Sequence, residues 1–397
     1  MDTNFAPKEY LKNIGFEWEE RFNYHIANSG TTPEEYLLLK KYDFLTSIPK
    51  NAIKIYIDLN VWINFRDVHM GKNTIAKTWS DVYQKAITLN EFYNVYFVAS
   101  PHIFLELQKQ KKIDEYKVLL DIIGKLSKEL TIENPIQLVF DETVFCLSDL
   151  LKTDLPFFNR ENYAWDKAAA ILGVPLPQID QNNEGLAALS KVLIDAVYRI
   201  PFRDFGLFGQ NDESEDTMQI LSNKLNFDLT HKPGVRGKNL EELFTEEFQG
   251  SIEASSKIIN QAITQFIGWK YNMNSVELAK VEEKEIINAF PNMFRFKKIK
   301  RYFPSLQVFS GLHASVRHDK AKKFSQNDLY DFHHASSALP YCQYFITDNP
   351  LAQRLNTKPL EFGKKFGTTI LPAKPDVILQ AFAEISQACP LPYVSKN

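Results

Sequence analysis

Two segments of the chain show the hydrophobic pattern of strands that are buried on both faces. The first is IKIYI, from Ile53 to Ile57, and the second runs from Tyr344 to Thr347. Short unbroken apolar runs of this kind are typical of inner strands of a parallel sheet. Each run ends at an aspartate, Asp58 or Asp348, and a helical pattern follows it. Because open α/β sheets bind ligands at the carboxyl ends of their strands, both acids lie where a site is expected.

Further strand and helix patterns surround these two runs. Strand patterns recur at Asn94–Ser100 and at Gly367–Leu371. Ser100 and Pro101 open a helix, since a hydroxyl caps it and proline fits its first turn. A closing helix is predicted from Pro375 to Ala388. This alternation of strands and helices predicts an α/β fold with a parallel sheet built from both ends of the chain.

Helix capping is the competing explanation for several polar residues beside the strands. Asn60 is expected to cap the helix that follows Asp58, and Asp58 itself has a plain alternative as a turn acid. Pro350 favours the first helical position, which makes Asn349 the expected cap and leaves Asp348 one residue outside the helix. Capping therefore accounts for Asn60 and does not account for Asp348.

The middle of the chain has a different pattern, in which helical periodicity replaces strand signals. The segment from Glu246 to Asn272 is an example. We predict a large, mainly α-helical insertion or second domain between the two halves of the sheet. The predicted organisation is an N-terminal helical cover (1–49), the first half of the core (50–120), the insertion (121–293), and the second half with a basic approach segment (294–397).

Composition narrows the class of protein without naming a function. The chain has 397 residues and a net charge of −3, which argues against indiscriminate coating of nucleic acid. Its three cysteines, Cys146, Cys342 and Cys389, are widely spaced and form no metal-ligand cluster, as expected for reduced thiols. Neither a signal peptide nor a membrane-length apolar run is present, so we expect a soluble cytoplasmic protein without a membrane partner.

Four more polar residues fall near the predicted edge of the sheet. Glu106 lies among apolar residues of the helix that Ser100 opens; it pairs with Lys109 or, if half-buried, needs a cation or donors. Asp328 and Asp331 begin the helix that precedes the strand from Tyr344 to Thr347. Acids in the first turn of a helix also interact well with the helix dipole. Residues three apart share a helix face, so these acids and His334 point the same way. We expect His334 to pack, or to contact phosphate.

Converging carboxylates repel one another unless a cation is bound between them. Ligation by oxygen alone suits Mg²⁺ or Mn²⁺, ions that keep several waters and bind phosphates. Such a site activates water and stabilises the leaving oxygen in phosphodiester hydrolysis. The sequence has no zinc-ligand spacing and no phosphate-binding Gly-rich loop before Lys-Ser/Thr.

Three segments resemble, in order, the acid-bearing segments of PIN domains, a family of metal-dependent nucleases. They are YIDLNVWINF, SPHIFLELQKQ and NDLYDFHHASSALPYCQYFITDNPLA, and together the similar regions cover roughly 52–112 and 326–372. The resemblance matches Asp58, Glu106, Asp331 and Asp348 to the family's acids. Asp331 and Asp348 are 17 positions apart, close to the family's spacing, which makes Asp328 an accessory.

The resemblance implies four or five parallel strands with helices on both faces. It also implies endonucleolytic cleavage of RNA, less often DNA, with Mg²⁺ or Mn²⁺. Members commonly act as toxins, in RNA processing or decay, or in defence. The large helical insertion departs from compact members of the family.

A basic segment leads into the helix that carries Asp331. Residues 295–323 contain nine Lys or Arg and a single acid, Asp319, although the whole chain is acidic. Interleaved aromatic residues suit the stacking of unpaired bases, whereas a solvated helix face is the alternative. We expect these cations to contact the phosphate backbone. They are Arg295, Lys297, Lys298, Lys300, Arg301, Arg317, Lys320, Lys322 and Lys323.

These observations together predict a divalent-metal-dependent endoribonuclease. Asp58, Glu106, Asp331 and Asp348 hold the metal, with Asp328 also near it and Asn60 and His334 in support. A DNA nuclease using the same acids and a non-catalytic RNA-binding or scaffold protein are the alternatives. The sequence leaves open a toxin or defence role, a homo-oligomer, and a regulatory protein partner.

Overall fold

A four-stranded parallel sheet lies at the centre of the residues that the structure describes. This computed structural model describes residues 7–72, 77–110, 112–155, 158–168, 183–208, 217–231, 238–271, 276–295, 299–319 and 321–388. The prediction of an α/β fold with a parallel sheet is confirmed. In these ranges the strands are β1 Ile53–Ile57, β2 Val95–Phe97, β3 Leu130–Ile132, β4 Trp165–Lys167, β5 Tyr344–Thr347 and β6 Thr369–Pro372.

The main sheet has the strand order β2-β1-β5-β6, and each neighbouring pair is parallel. Tyr56 on β1 is in register with Phe345 on β5, and their rings stack with centroids 5.3 Å apart. The strand β1 is buried from Lys54 onwards, and its last three side chains, Ile55, Tyr56 and Ile57, are fully buried. Burial on both faces explains why β1 and β5 read as unbroken apolar runs.

Helices make up most of the described chain and flank the sheet. Two short 3-10 helices, Phe202–Phe208 and Lys300–Tyr302, accompany them. The α-helices are α1 Pro7–Asn13, α2 Trp18–Ala27, α3 Pro33–Thr46, α4 Leu59–His69, α5 Lys77–Phe92, α6 Pro101–Leu107, α7 Ile113–Ser127, α8 Pro135–Leu151, α9 Glu184–Arg199, α10 Thr217–His231, α11 Leu240–Ala254, α12 Ser256–Tyr271, α13 Val276–Arg295, α14 Pro304–His318, α15 Gln326–Ala338, α16 Asn349–Asn356, α17 Phe362–Phe366 and α18 Pro375–Ala388.

A small second sheet extends from the end of β2 into the middle of the chain. Ala99 forms a bridge to Thr131 of β3, and β3 pairs in antiparallel fashion with β4. The described part of the middle region is otherwise helical, from α7 to α13. The domain boundaries proposed above stay a prediction.

Two hydrophobic clusters account for most of the buried apolar side chains among the described residues. The larger one surrounds the main sheet and includes Trp62, Phe97 and Phe345. The other is formed chiefly by α8, α11, α12 and the segment 299–306, with Phe266 and Phe303 fully buried in it. Of the described helices, none combines the length and the apolar character needed to cross a membrane.

Candidate active site

The carboxyl edge of the sheet contains a topological switch point between β1 and β5. These two strands are neighbours, yet the chain goes from β1 to β2 on one side and from β5 to β6 on the other. The connections therefore diverge, and ligands of open α/β sheets bind outside the carboxyl ends of the strands at such a point. Asp58 directly follows β1 and Asp348 directly follows β5. The Asp58 N–H donates to the carbonyl of Ile346 at 2.9 Å, which joins the two strand ends.

The helix after β1 begins two residues earlier than the capping prediction requires. Leu59 is already helical, so Asp58 occupies the N-cap position, and its side chain makes no capping hydrogen bond. Asn60 lies inside the first turn, is exposed, and its carbonyl accepts a bond from the Asn64 amide at 2.8 Å. The predicted cap role of Asn60 is therefore wrong. Asp58 has the cap position without a capping bond, and its carboxylate contacts the N–H of Leu59, which lowers the pKa of Asp58.

The helix after β5 is capped by the acid itself. Asp348 accepts a hydrogen bond from the N–H of Leu351 at 2.8 Å. The prediction that Asn349 caps this helix is wrong, because α16 begins at Asn349 and Pro350 takes its second position. One oxygen of Asp348 is thus committed to the helix, and capping alone explains an acid here.

Glu106 belongs to a chain of hydrogen bonds that reaches back to β1. Its carboxylate lies 3.2 Å from Nε2 of His334, on α15. The other ring nitrogen, Nδ1, pairs with the hydroxyl of Tyr56. That hydroxyl is also 3.1 Å from Oγ of Ser100, which caps α6 as predicted by accepting from the Ile103 N–H. The chain fixes the position of Glu106 relative to the central strand.

Asp331 lies on the same helix as His334, and its carboxylate makes no hydrogen bond to any of the described residues. Burial raises the pKa of Asp331 to about 8, and the nearby charges of Asp58 and Asp348 add to this increase, whereas His334 opposes it. Glu106 also raises it. These mutual effects show that the four predicted acids lie close enough to repel one another.

Two further pKa shifts describe the same cluster. Burial raises the pKa of Asp58, His334 counteracts this, and Glu106 and Asp348 raise it further. Burial disfavours a charged His334, but its hydrogen bond to Glu106 and the charges of Asp58 and Asp331 outweigh burial and raise its pKa. No Lys or Arg of the described chain forms an ion pair with Asp58, Asp331 or Asp348. The imidazole of His334 is a basic group that opposes the raised pKa values of both Asp58 and Asp331.

Asp328 is committed to the start of α15. It forms a capping box with Ser325, whose N–H and hydroxyl donate to one oxygen at 3.1 and 2.6 Å. The other oxygen lies 2.8 Å from Nζ of Lys322 and 3.4 Å from Arg354. Both carboxylate oxygens of Asp328 therefore have partners within the protein, and helix capping accounts for an acid at this position.

A group of stacked rings extends from the acids along α15. His102 lies edge-on to His334 with centroids 5.6 Å apart, and it stacks on His333 at 5.2 Å. Phe309 of α14 contacts the other side of His333, also at 5.2 Å. Burial lowers the pKa of His333 to about 4 and holds the pKa of His102 well below its ordinary value, with the neighbouring His334 adding to both shifts. Both rings are therefore neutral at physiological pH.

The sequence did not single out Tyr56, Ser100, His102 or His333 as site residues. Tyr56 reads as an ordinary core position of a buried strand, and Ser100 as an ordinary cap. The His333-His334 pair was the available signal, since adjacent residues of a helix point to different sides. One imidazole faces the acids and the other faces the ring stack.

The described members of the basic segment have different surroundings. Arg317 is largely buried and paired with Glu246 and Glu247, and Lys322 is paired with Asp328. Arg317 and Lys322 therefore pair with acids of the protein itself, which favours the alternative in which these cations do not contact nucleic acid.

Two other cations of the segment are exposed. Arg301 is 73% exposed, lies over the buried ring of Tyr302 and is 3.6 Å from Asp149, and Lys323 is also exposed. Lys300 lies 3.6 Å from the ring centroid of Phe244. Lys297, Lys298 and Lys320 fall outside the described residues, as does the side chain of Arg295.

The chemistry of the acid cluster fits a hard divalent cation, because it offers several carboxylates and no thiolate. As the side chains stand, no group of three His, Cys, Asp or Glu within the described ranges is arranged to ligate one ion. The hydrogen bonds of Glu106 to His334 and of Asp348 to Leu351 hold these carboxylates in their present rotamers. Ligation therefore requires a rotation of these side chains about Cα–Cβ and the following bonds.

Comparisons with known proteins identify no relative: no protein-family model matches the chain, and no curated protein or solved structure does so significantly. The functional assignment therefore rests on the geometry and chemistry of the site.

Proposed function

We propose that the protein is a Mg²⁺- or Mn²⁺-dependent endoribonuclease of the PIN-like class. The observation that carries the proposal is the gathering of Asp58, Glu106, Asp331 and Asp348 near the switch point of a parallel sheet. Folding leaves these carboxylates without a Lys or Arg partner in the described chain, and burial together with the neighbouring acids raises the pKa values of Asp58 and Asp331. A bound divalent cation supplies the missing positive charge.

The four acids have distinct tasks in this proposal. A bound metal supplies a Lewis acid that lowers the pKa of a coordinated water and stabilises charge on the scissile phosphate. Asp58 and Asp331 have no hydrogen bond to a side chain and are the ligands most ready to bind. Glu106 is oriented by His334, and Asp348 contributes the oxygen that does not cap α16. The buried ring of Tyr56 fixes His334 and limits its motion.

Single-stranded or unpaired RNA is the proposed substrate. Lys300 lies over the partly exposed ring of Phe244, where the cation contacts phosphate and the ring stacks on an unpaired base. Arg301 is exposed and supplies a further phosphate contact, but the ring of Tyr302 beneath it is buried and offers no face to a base. Exposed Lys323 lies in the segment that leads into α15.

Cleavage of labelled single-stranded RNA in Mn²⁺ tests this proposal, with single-stranded and duplex DNA assayed in parallel. We expect metal-dependent internal cleavage of RNA by the wild type, and loss of it in Asp58→Asn. Asp81→Asn is the matched control, because it removes the same charge from an exposed acid of α5 that is outside the predicted site. Undiminished cleavage by Asp58→Asn would contradict the proposal, whereas preferential cleavage of DNA would redirect it to a DNA nuclease.

A non-catalytic RNA-binding protein remains the alternative for the same surface. Tight RNA binding, together with no Mn²⁺ binding by calorimetry, would support that alternative. A toxin or defence role is an analogy with the PIN-like class. It predicts toxicity on overexpression that Asp348→Ala abolishes.

A further inference from the structure

We propose that a cavity between α8, α12, α14 and α15 binds one nucleobase of the substrate, an inference that rests on the proposed nuclease function. The cavity has a volume of about 340 Å³ and opens beside the helix that carries Asp331 and His334. Ligand pockets of proteins occupy roughly 300–1,000 Å³, so this one suits a single small ring system.

The walls of the cavity are apolar, and no Lys, Arg, Asp or Glu of the described chain lines it. Ile136, Leu306 and Phe309 supply apolar surface, and Ile136 is 63% exposed at its edge. A charged group such as phosphate gains no partner in such a cavity and loses its hydration. A flat, uncharged base loses little hydration and covers the exposed apolar surface.

Polar groups on one side give the cavity the means to read the edge of a base. His333 lines it, and its ring nitrogens make no hydrogen bond to any residue in the described ranges. A neutral imidazole offers one donor and one acceptor. The hydroxyl of Ser336 donates to the carbonyl of His333 at 3.0 Å, which leaves its lone pairs free to accept. These groups complement the donors and acceptors of a nucleobase.

The ring stack connects the cavity to the acids. His333 contacts His102, and His102 contacts His334, which pairs with Glu106. The cavity and the acid cluster are thus separated by two ring contacts. Asp331 and His333 are also two residues apart on one helix, with their side chains on different sides of it. A base in the cavity therefore belongs to a nucleotide near the scissile phosphate.

Nucleoside binding by the full-length protein tests the cavity separately from cleavage. Saturation-transfer NMR with adenosine, guanosine, cytidine and uridine is expected to show binding of at least one nucleoside by the wild type. Ala254 is exposed and lines the cavity, so Ala254→Trp is expected to fill it and abolish this signal. Asn260→Trp, at an exposed position of α12 away from the cavity, is the matched control.

Fluorescence anisotropy with a labelled single-stranded RNA completes the test. Loss of one stacked base is expected to weaken RNA binding by about tenfold in Ala254→Trp, with no change in Asn260→Trp. Ile136→Trp, at a second exposed lining position, is expected to act like Ala254→Trp, which guards against a folding defect in one variant.

The outcomes separate this inference from the proposed function. RNA cleavage that requires Asp58, together with no nucleoside signal or a signal unchanged by both filling variants, overturns the cavity and leaves the nuclease intact. Nucleoside binding lost in the filling variants, together with no cleavage of RNA, overturns the nuclease and with it the role of the cavity as a substrate site.

Discussion

Two aspartates on helices, Asp195 of α9 and Asp331 of α15, show opposite solutions to burying a carboxylate. Asp195 is contacted by Arg21, His25 and Lys40 at 2.9, 2.8 and 2.7 Å, and by the hydroxyl of Tyr36 at 2.7 Å. Burial alone raises its pKa, but the bonds from these groups outweigh burial and hold the pKa below the ordinary value. Asp331 has no hydrogen bond in the described structure, and its pKa rises to about 8.

The two aspartates differ in whether the carboxylate has partners. Asp195 has them and stabilises the fold, whereas Asp331 lacks them and destabilises it. The partners of Asp195 come from α2 and α3, so their contacts fasten the N-terminal helices onto α9. Asp331 instead gathers with Asp58, Glu106 and Asp348 around one imidazole. An uncompensated group of this kind costs stability and persists where a ligand or reaction requires it.

Two substitutions of Asp348 are expected to produce the largest effect, a loss of RNA cleavage. Asp348→Asn keeps a good helix cap and removes the charge, whereas Asp348→Ala removes both. Losing a metal ligand costs several kcal/mol of transition-state stabilisation, so both variants are expected to lose RNA cleavage by about 10²–10³-fold. Only the Ala variant is expected to lose stability, by about 1 kcal/mol in urea unfolding. An active Asp348→Asn protein would assign this acid to capping alone.

Asp195→Asn tests whether Asp195 stabilises the fold and takes no part in RNA cleavage. Removing one partner from a buried ion-pair group costs about 3–5 kcal/mol, but Arg21 is 36% exposed and Lys40 27%, which lowers the cost. We expect a loss of about 2 kcal/mol in the free energy of unfolding, measured in urea. RNA cleavage per folded molecule is expected to be unchanged. A cleavage defect with unchanged stability would reverse the assigned roles of Asp195 and Asp331.

Asp331→Asn is expected to stabilise the metal-free protein above pH 8. The pKa of Asp331 is raised in the folded state, so ionising it costs folding free energy as pH rises from about 4 to about 8. The Asn variant does not ionise there. A pKa raised from about 4 to about 8 costs about 5 kcal/mol once the carboxyl is ionised. In EDTA the melting temperature of the variant is therefore expected to exceed that of the wild type by several degrees at pH 8.5, and to match it near pH 4. An unstabilised variant at pH 8.5 would show that Asp331 is already compensated.

The hydrophobic pattern predicted the sheet because a strand that is buried on both faces appears in the sequence as a short unbroken apolar run. It placed β1, β5 and the cap at Ser100, and the helix α18 has the predicted bounds. Helix starts were harder, because Asp, Asn and Pro compete for neighbouring positions within one turn. Asn60 and Asn349 were both expected to be caps, and in both cases the preceding aspartate takes the cap position.

Long-range partners were beyond the reach of the sequence. The pairing of Tyr56 with His334 joins residues 278 positions apart, and no local pattern encodes it. Arg317 was expected to contact nucleic acid, and α11 supplies two glutamates that pair with it. Whether a charge is compensated depends on which elements pack together, and this determines which acids remain available to a ligand.

Binding of Mn²⁺ to the full-length protein, measured by calorimetry, tests the central claim most directly. We predict one or two Mn²⁺ ions bound by the wild type, with affinity at least tenfold weaker in Asp331→Asn and unchanged in Asp195→Asn. The acids at the switch point must then rotate to form a common site. Absence of Mn²⁺ binding by the wild type, or equal binding by Asp331→Asn, would contradict the account.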